Sequence, residues 1–318
     1  MIKRALGKTG LQVSEVAFGC VEIGMPYGIG VKSLHDMPTE DEAIHLLQTA
    51  LQSGINFFDT ARMYGTSENI IGKAFRDNRD EVVIATKCKH FKNSDGFIPP
   101  YKELKHIITN SLKESLDALR TNYVDVYMLH QSDLEVIQNE EVLEIFASLK
   151  GAGLIKATGV STYTNEQTES AIEIGGWDVI QVPFNLMDQR QAALFSKAAL
   201  KGIGIVIRSV LLKGLLTDKG KNLHPALTIV ENHLNKYSEL TQELGVNLST
   251  LATRFALSFP EVSAILVGID KLSYLQQSLA AARGKYLTPE ILKQAEALAY
   301  PEPKFLDLPK WDREGWLK

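Results

Sequence analysis

At 318 residues the chain has room for one large domain or two ordinary ones, and a (β/α)8 barrel of about 250 residues plus insertions fits within it. Hydrophobic residues at 45% and charged residues at 23% describe a globular protein able to bury a large core. With 34 basic against 38 acidic side chains the net charge is only −4, which gives no basis for a nucleic-acid partner or a membrane surface.

The first expected elements are short strands at 3–6 and 11–14, joined as a hairpin through Gly7-Lys8-Thr9-Gly10. After them strands alternate with helices. Strand Val16–Gly19 precedes a helix over 39–52, for which Thr39 and Glu42 have the spacing of a capping box. Strand 55–59 leads to a helix at 68–75, and strand 82–86 to a helix over Tyr101–Leu119 with Leu104, Ile107, Ile108, Leu112, Leu116 and Leu119 at helical spacing. Strand Val124–Leu129 is followed by a helix at 139–149, and strand 155–160 by a helix over Asn165–Ile174. Strands at 179–182 and 203–207 flank a helix near 189–200. Helical stretches over 228–257, a last strand at 263–267 and a helix at 271–282 complete the pattern.

Eight apolar strands, each followed by an amphipathic helix, imply a parallel sheet covered on both faces. The count favours closure, so the expected fold is α/β: a (β/α)8 TIM barrel with an N-terminal β-hairpin, one domain over 1–318. An open dinucleotide-binding sheet is disfavoured, because the first strand–helix turn has no G-x-G-x-x-G. Cys20 and Cys88 form no C-x-x-C and no disulfide framework. The N-terminal residues lack the apolar core of a signal peptide, and no stretch reaches the roughly 20 apolar residues of a spanning helix. A cytoplasmic setting is the default expectation.

In a barrel, groups at the carboxyl ends of strands gather at one mouth. Asp59 ends the strand Ile55-Asn56-Phe57-Phe58-Asp59, and Tyr64 follows five residues later beside Gly65. Lys87 ends Val82-Val83-Ile84-Ala85-Thr86-Lys87, and His130 ends Val124-Asp125-Val126-Tyr127-Met128-Leu129-His130. Each has an ordinary structural reading: a turn cap for Asp59, a packed aromatic for Tyr64, a satisfied core histidine for His130. Lys87 is the odd one, since an ammonium at the mouth of an apolar core needs a partner. Four such groups at strand ends point to catalysis. Other chemistries lack their motifs: there is no H-x-H on a strand, no H-E-x-x-H, no G-x-S-x-G and no G-x-x-x-x-G-K-[ST].

These four positions match, one for one, the Asp, Tyr, Lys and His tetrad of the aldo-keto reductases, and the chain resembles that family over nearly its whole length. The resemblance implies reduction of an aldehyde or ketone by hydride from a nicotinamide coenzyme, with Tyr64 as general acid/base. Lys87 would lower the phenol's pKa, Asp59 would orient Lys87, and His130 would hydrogen-bond the carbonyl oxygen. Gly159-Val160-Ser161-Thr162 resembles the family's G-x-S-N, with Ser161 on the carboxamide and Thr162 in place of Asn. Gln181, in Gln181-Val182-Pro183-Phe184-Asn185-Leu186, would take the carboxamide's other side.

In Arg208-Ser209-Val210-Leu211-Leu212-Lys213-Gly214-Leu215-Leu216, Arg208 stands where the family usually has the Tyr that stacks on the nicotinamide. A planar guanidinium can also stack. Ser209, Leu211 and Gly214 would border the pyrophosphate. The eighth block, beginning Gly268-Ile269-Asp270-Lys271, has Asp270 where a basic residue is usual, Tyr274 for Gln, then Gln277, and Ser278 for Asn. Gly19 completes the implied coenzyme contacts. The family's habit implies NADP(H), whereas a carboxylate at 270 is the feature that admits NAD.

Two alternatives share this machinery: an NAD-linked aldose dehydrogenase, and a coenzyme-holding regulatory subunit with little turnover, as in channel-associated members of the family. The implied partner is a small carbonyl compound or sugar. Cys20, Met63, His90 and Phe91 are expected near the mouth, bordered by loops 24–38, 89–100 and 211–225. Trp311 and Trp316 either pack on outer helices or line that mouth.

Overall fold

The computed structural model describes residues 1–130, 133–284 and 286–317. Strands β1 (Lys3–Ala5) and β2 (Gln12–Ser14) form an antiparallel hairpin. Eight parallel strands follow: β3 (Val16–Gly19), β4 (Phe57–Asp59), β5 (Val83–Lys87), β6 (Val124–Leu129), β7 (Ile155–Ser161), β8 (Val179–Pro183), β9 (Gly204–Arg208) and β10 (Val262–Gly268). They close in chain order, β10 pairing back onto β3 with Ile265 beside Val16 and Gly268 beside Gly19. The fold is the expected (β/α)8 barrel with an N-terminal hairpin.

Strand alternation sorts the apolar residues into two layers. Ala17, Phe57, Ala85, Val126, Met128, Ala157, Val206 and Ala264 fill the barrel interior, while Val16, Phe18, Phe58, Ile84 and Tyr127 point outward under the helices. The hairpin closes the amino-terminal end, where Leu6 and Val13 join the interior layer. Gly7, at φ +55°, allows that closure: a Cβ there would lie 2.4 Å from the Gly204 nitrogen. Function is thereby confined to the opposite end.

The helices follow their patterns where caps are explicit. Glu40–Gln52 starts at a capping box of Thr39 and Glu42, and Tyr101–Leu119 and Asn165–Ile174 have the expected bounds. The helical stretches expected over 228–257 are Thr228–Leu234, Ser238–Leu244 and Leu248–Leu257. Gly245 ends the second piece at φ +61°, and the Asn247 side chain caps the third. The helix expected near 189–200 shortens to Phe195–Lys201 after a tight turn at Arg190–Leu194. Periodicity did not reveal Val21–Gly24, Leu134–Ile137, Pro289–Ala297 or Leu308–Arg313. Three of these are one- or two-turn pieces, too short for a periodic signal.

Two contacts fix the loop after β4, which carries Tyr64. Gly24 sits so close that a Cβ would fall 2.1 Å from the Tyr64 carbonyl oxygen and 2.5 Å from the Ser67 Cβ. Behind the loop, the buried Glu68 carboxylate pairs with Arg62 and accepts a 2.6 Å hydrogen bond from the Thr86 hydroxyl, next to Lys87. Loop, helix Ser67–Ala74 and β5 are thus tied through one carboxylate.

Gly24→Ala should lower the unfolding free energy by about 1–3 kcal/mol, because the atom it meets is backbone and cannot swing away. A shifted denaturant midpoint at unchanged slope measures this; an unshifted midpoint contradicts the contact. Glu68→Ala should cost roughly 2–4 kcal/mol, the loss for a pair that is buried on one side. The exposed Lys73–Glu40 pair, at 2.6 Å, serves as control: Lys73→Ala should change stability by less than about 1 kcal/mol.

Candidate active site

Asp59 ends β4, Lys87 ends β5, Gln181 lies within β8, and His130 follows β6 directly. Parallel pairing brings these strand ends to one mouth, and the loop after β4 folds Tyr64 over them. Lys87 is fully buried. Its ammonium donates to Asp59 Oδ2 at 2.6 Å and to the Thr60 carbonyl at 2.8 Å. Gln181 Nε2 donates to the other carboxylate oxygen, Oδ1, at 2.8 Å. Lys87 Nζ is 4.9 Å from the Tyr64 ring centroid, and the His130 imidazole meets that ring edge-on with centroids 5.5 Å apart. His90 packs on the other side of His130, also at 5.5 Å. The structure therefore gathers Asp59, Tyr64, Lys87 and His130 into one cluster.

Its electrostatics differ from expectation at one point. Tyr64 was expected to have a lowered pKa; instead it is raised, first by burial and next by the Asp59 charge. Burial is the larger cause, and Lys87, which would favour the phenolate, is itself paired with Asp59. Arg208 is the cation that acts in the opposite sense on Tyr64. His130 is pushed down to about 3, mainly by burial and then by the charges of Lys87, His90 and Arg208. It is a neutral imidazole at ordinary pH, and its Nδ1 is buried without a hydrogen-bond partner among the described residues. The site pairs a protonated phenol with a neutral imidazole.

A cavity of about 910 Å³ runs from Tyr64 and His130, past Cys20 and Arg208, to Asp270, Tyr274 and Ser278. Gly19, Ser161, Gln181, Ser209, Leu211, Gly214, Gly268 and Gln277 also line it. Thr162 does not. It is fully buried behind the wall, its hydroxyl 2.7 Å from that of Thr168, and only its carbonyl reaches the site region, accepting from Arg208 at 2.8 Å. The shorter hydroxyl side chain turns to the helix Asn165–Ile174, so the coenzyme contact expected of Thr162 is corrected. Lys87 lies behind Asp59 and outside the lining as well.

The loop after β9 bends sharply, with Ser209 at φ +60°, Lys213 at φ +55° and Gly214 at φ +103°. Asn185 braces it by donating to the Ser209 carbonyl at 3.2 Å. Arg208 lies over the Tyr163 ring at 4.3 Å, with its Nε buried and unpartnered. Lys213 is over the Tyr27 ring at 4.7 Å, and Lys219 lines the same stretch. A cavity of this volume, with Arg208, Lys213 and Lys219 among its lining cations, can accept a phosphate-bearing ligand.

Sequence reasoning missed several lining residues. Tyr163 adjoins the Ser161 block and Lys213 lies inside the Arg208 block, so proximity was their only signal. Glu22 and Tyr27 come from the loop after β3, whose length alone marked it. Asn247, Thr250 and Thr253 belong to a helix start with no chemical pattern. Residues of loops 24–38 and 211–225 line the cavity; none of 89–100 does, and Met63 is half exposed. Phe91 is buried in the core. Trp311 is buried against Phe305 and Trp316 stacks on His224, while neighbouring tail residues such as Leu306 and Pro309 border the cavity.

The aldo/keto reductase family pattern matches residues 26–299. Among curated relatives, the L-galactose dehydrogenase of Arabidopsis thaliana is 29% identical, spanning 94% of each chain. The aldo-keto reductase YhdN of Bacillus subtilis is 31% identical over 92% of each. Among solved structures, the holo form of aldo-keto reductase AKR11C1 from Bacillus halodurans superposes with a TM-score of 0.77 at 25% identity, covering 94% of this chain and 96% of that one. A closed eight-stranded barrel bearing a carboxylate–ammonium–phenol–imidazole cluster thus coincides with a match over most of the sequence, and the chain belongs to the aldo-keto reductase family of oxidoreductases.

Proposed function

We propose that the chain interconverts an aldehyde or ketone and its alcohol with a nicotinamide dinucleotide, Tyr64 supplying and recovering the proton. The observation that carries this reading is the Lys87–Asp59 pair buried directly behind a phenol that faces a cavity lined with cations. The coenzyme, when bound, supplies or accepts the hydride. The rest falls to the chain. Tyr64 stays protonated until negative charge develops on the substrate oxygen, and Lys87 then offers a nearby positive charge to the forming phenolate. His130 donates a hydrogen bond to the same oxygen as a neutral imidazole. Ser161 and Gln181 hold the nicotinamide end, Gln181 being oriented by Asp59. Arg208, Ser209, Leu211 and Gly214 hold the pyrophosphate segment, and Asp270, Tyr274, Gln277 and Ser278 the adenosine end.

A second reading has its own support. Asp270 lines the cavity where the family usually offers a basic group, and L-galactose dehydrogenase is among the relatives. Both favour NAD-linked oxidation of a sugar. Initial rates with NADH, NADPH, NAD and NADP in both directions decide between the readings: aldehyde reduction with either reduced coenzyme supports the first, and sugar oxidation without aldehyde reduction supports the second.

Tyr64→Phe should lower kcat by about 10²–10⁴-fold while leaving coenzyme binding within a few-fold of the native protein. Equal turnover in native and variant proteins, on substrates that bind, would remove Tyr64 from the mechanism. His130 titrates near pH 3, far below its usual 6.5, so kcat/KM for reduction should show no inflection between pH 5.5 and 7.5. For the same reason His130 opposes folding in acid: stability it leaves intact above about pH 6.5 is lost progressively towards pH 3, because the unfolded imidazole binds a proton that the folded one refuses.

A further inference from the structure

Glu22 has no part in the chemistry above, yet it lines the cavity midway between the catalytic cluster and Asp270. Its carboxyl lies directly over Gly268: a Cβ there would fall 2.0 Å from Oε1. One hydrogen bond reaches the carboxyl from its own backbone, and Oε2 is buried with no hydrogen-bond partner among the described residues. The charged groups acting on it are Asp270 from the turn after β10, the cation Lys219 and Asp59 from β4. Tyr27, Tyr64 and Cys20 are the other titratable neighbours.

This is a carboxyl group placed among carboxylates beside the path of an anionic ligand. Ionising it means placing a charge with no donor at Oε2 and with negative groups on two sides. A phosphate-bearing ligand adds more negative charge to the same space. We propose that the coenzyme is held only while Glu22 is a neutral acid, so that dinucleotide affinity is linked to a proton on the alkaline side. Burial, reinforced by Asp270, already raises the Glu22 pKa to about 8 in the free protein. A bound anion raises it further, so binding takes up a proton from solution above that pH and none well below it. Affinity is level up to about pH 7.5 and declines beyond it.

The inference rests on the coenzyme reading above, and the test separates the two. NADH and NADPH are titrated by fluorescence from pH 6.5 to 9.5 into the native protein and Glu22→Gln, whose amide mimics the neutral acid. The native dissociation constant should rise about tenfold between pH 7 and pH 9, and that of the variant less than about twofold. Calorimetry of the native protein at pH 8.5 in two buffers of different ionisation enthalpy should show uptake of about 0.8 proton per coenzyme, a readout that needs no variant. A native affinity that is flat with pH overturns the Glu22 assignment alone. A decline that persists in Glu22→Gln also overturns it, assigning the proton to another group such as the half-buried Lys213. Absence of binding by either coenzyme at pH 7 overturns the coenzyme reading and this inference together.

Discussion

A lysine with no exposed surface at the mouth of an apolar barrel is costly unless its charge is matched, and the site is built around matching it. Lys87 has one carboxylate oxygen and one carbonyl, and Asp59 in turn has Lys87 on one oxygen and Gln181 on the other. The partners arrive from β4, β5 and β8, so the arrangement exists only once the sheet has closed. Desolvating such a pair usually consumes most of what its attraction returns, and apolar residues of similar volume often serve stability as well. Its presence is better explained by what it does to the phenol in front of it. Stability is supplied by the two apolar layers on either side of the strands.

That arrangement keeps both groups facing the substrate neutral. A bare ammonium beside Tyr64 would release its proton early and leave a phenolate with nothing to donate. Paired with Asp59, Lys87 instead presents a dipole whose negative end keeps the phenol protonated, and burial acts in the same direction. Burial and the surrounding cations keep His130 uncharged. In the proposed reaction the phenol and the imidazole would hold their protons until charge appears on a substrate oxygen, which is when donation lowers the barrier. The tight contacts of Gly24 and Glu68 serve the same end, since a phenol displaced by 1 Å loses both its donor geometry and its cation.

The barrel was legible in the sequence because each strand is a short, mostly apolar run separated from the next by a helical pattern, and β6 and β7 were readable almost to the residue. Helices with side-chain caps, such as Glu40–Gln52, were equally plain. The breaks within the stretch from 228 to 257 were not, because apolar residues continue through turns that only Gly245 and Asn247 mark. Asp59, Tyr64, Lys87 and His130 stood out because charged or titratable groups at strand ends conflict with the core behind them. The coenzyme cavity was only partly visible. Arg208 and Asp270 lie in recognisable blocks, but Glu22, Tyr27 and the tail reach the cavity from segments whose local pattern carries no chemistry. Thr162 shows the opposite failure: its position matched the block, and its shorter side chain turned away to Thr168.

Charge along the cavity is divided in a way that the net −4 of the chain conceals. Arg190, Arg208, Lys213, Lys219 and Lys304 line it together with Glu22, Asp59, Asp188, Asp218, Asp270 and Asp307. Of these acids, Asp59 is neutralised by Lys87 and so adds little repulsion to a bound phosphate. Asp270 shares its surroundings with Glu22, and two nearby carboxyl groups do not ionise independently. In the proposal above, a neutral Glu22 would leave less negative charge beside the phosphates that the cations attract. On that proposal the balance between coenzyme attraction and repulsion would be set by a proton as well as by the count of lysines and arginines.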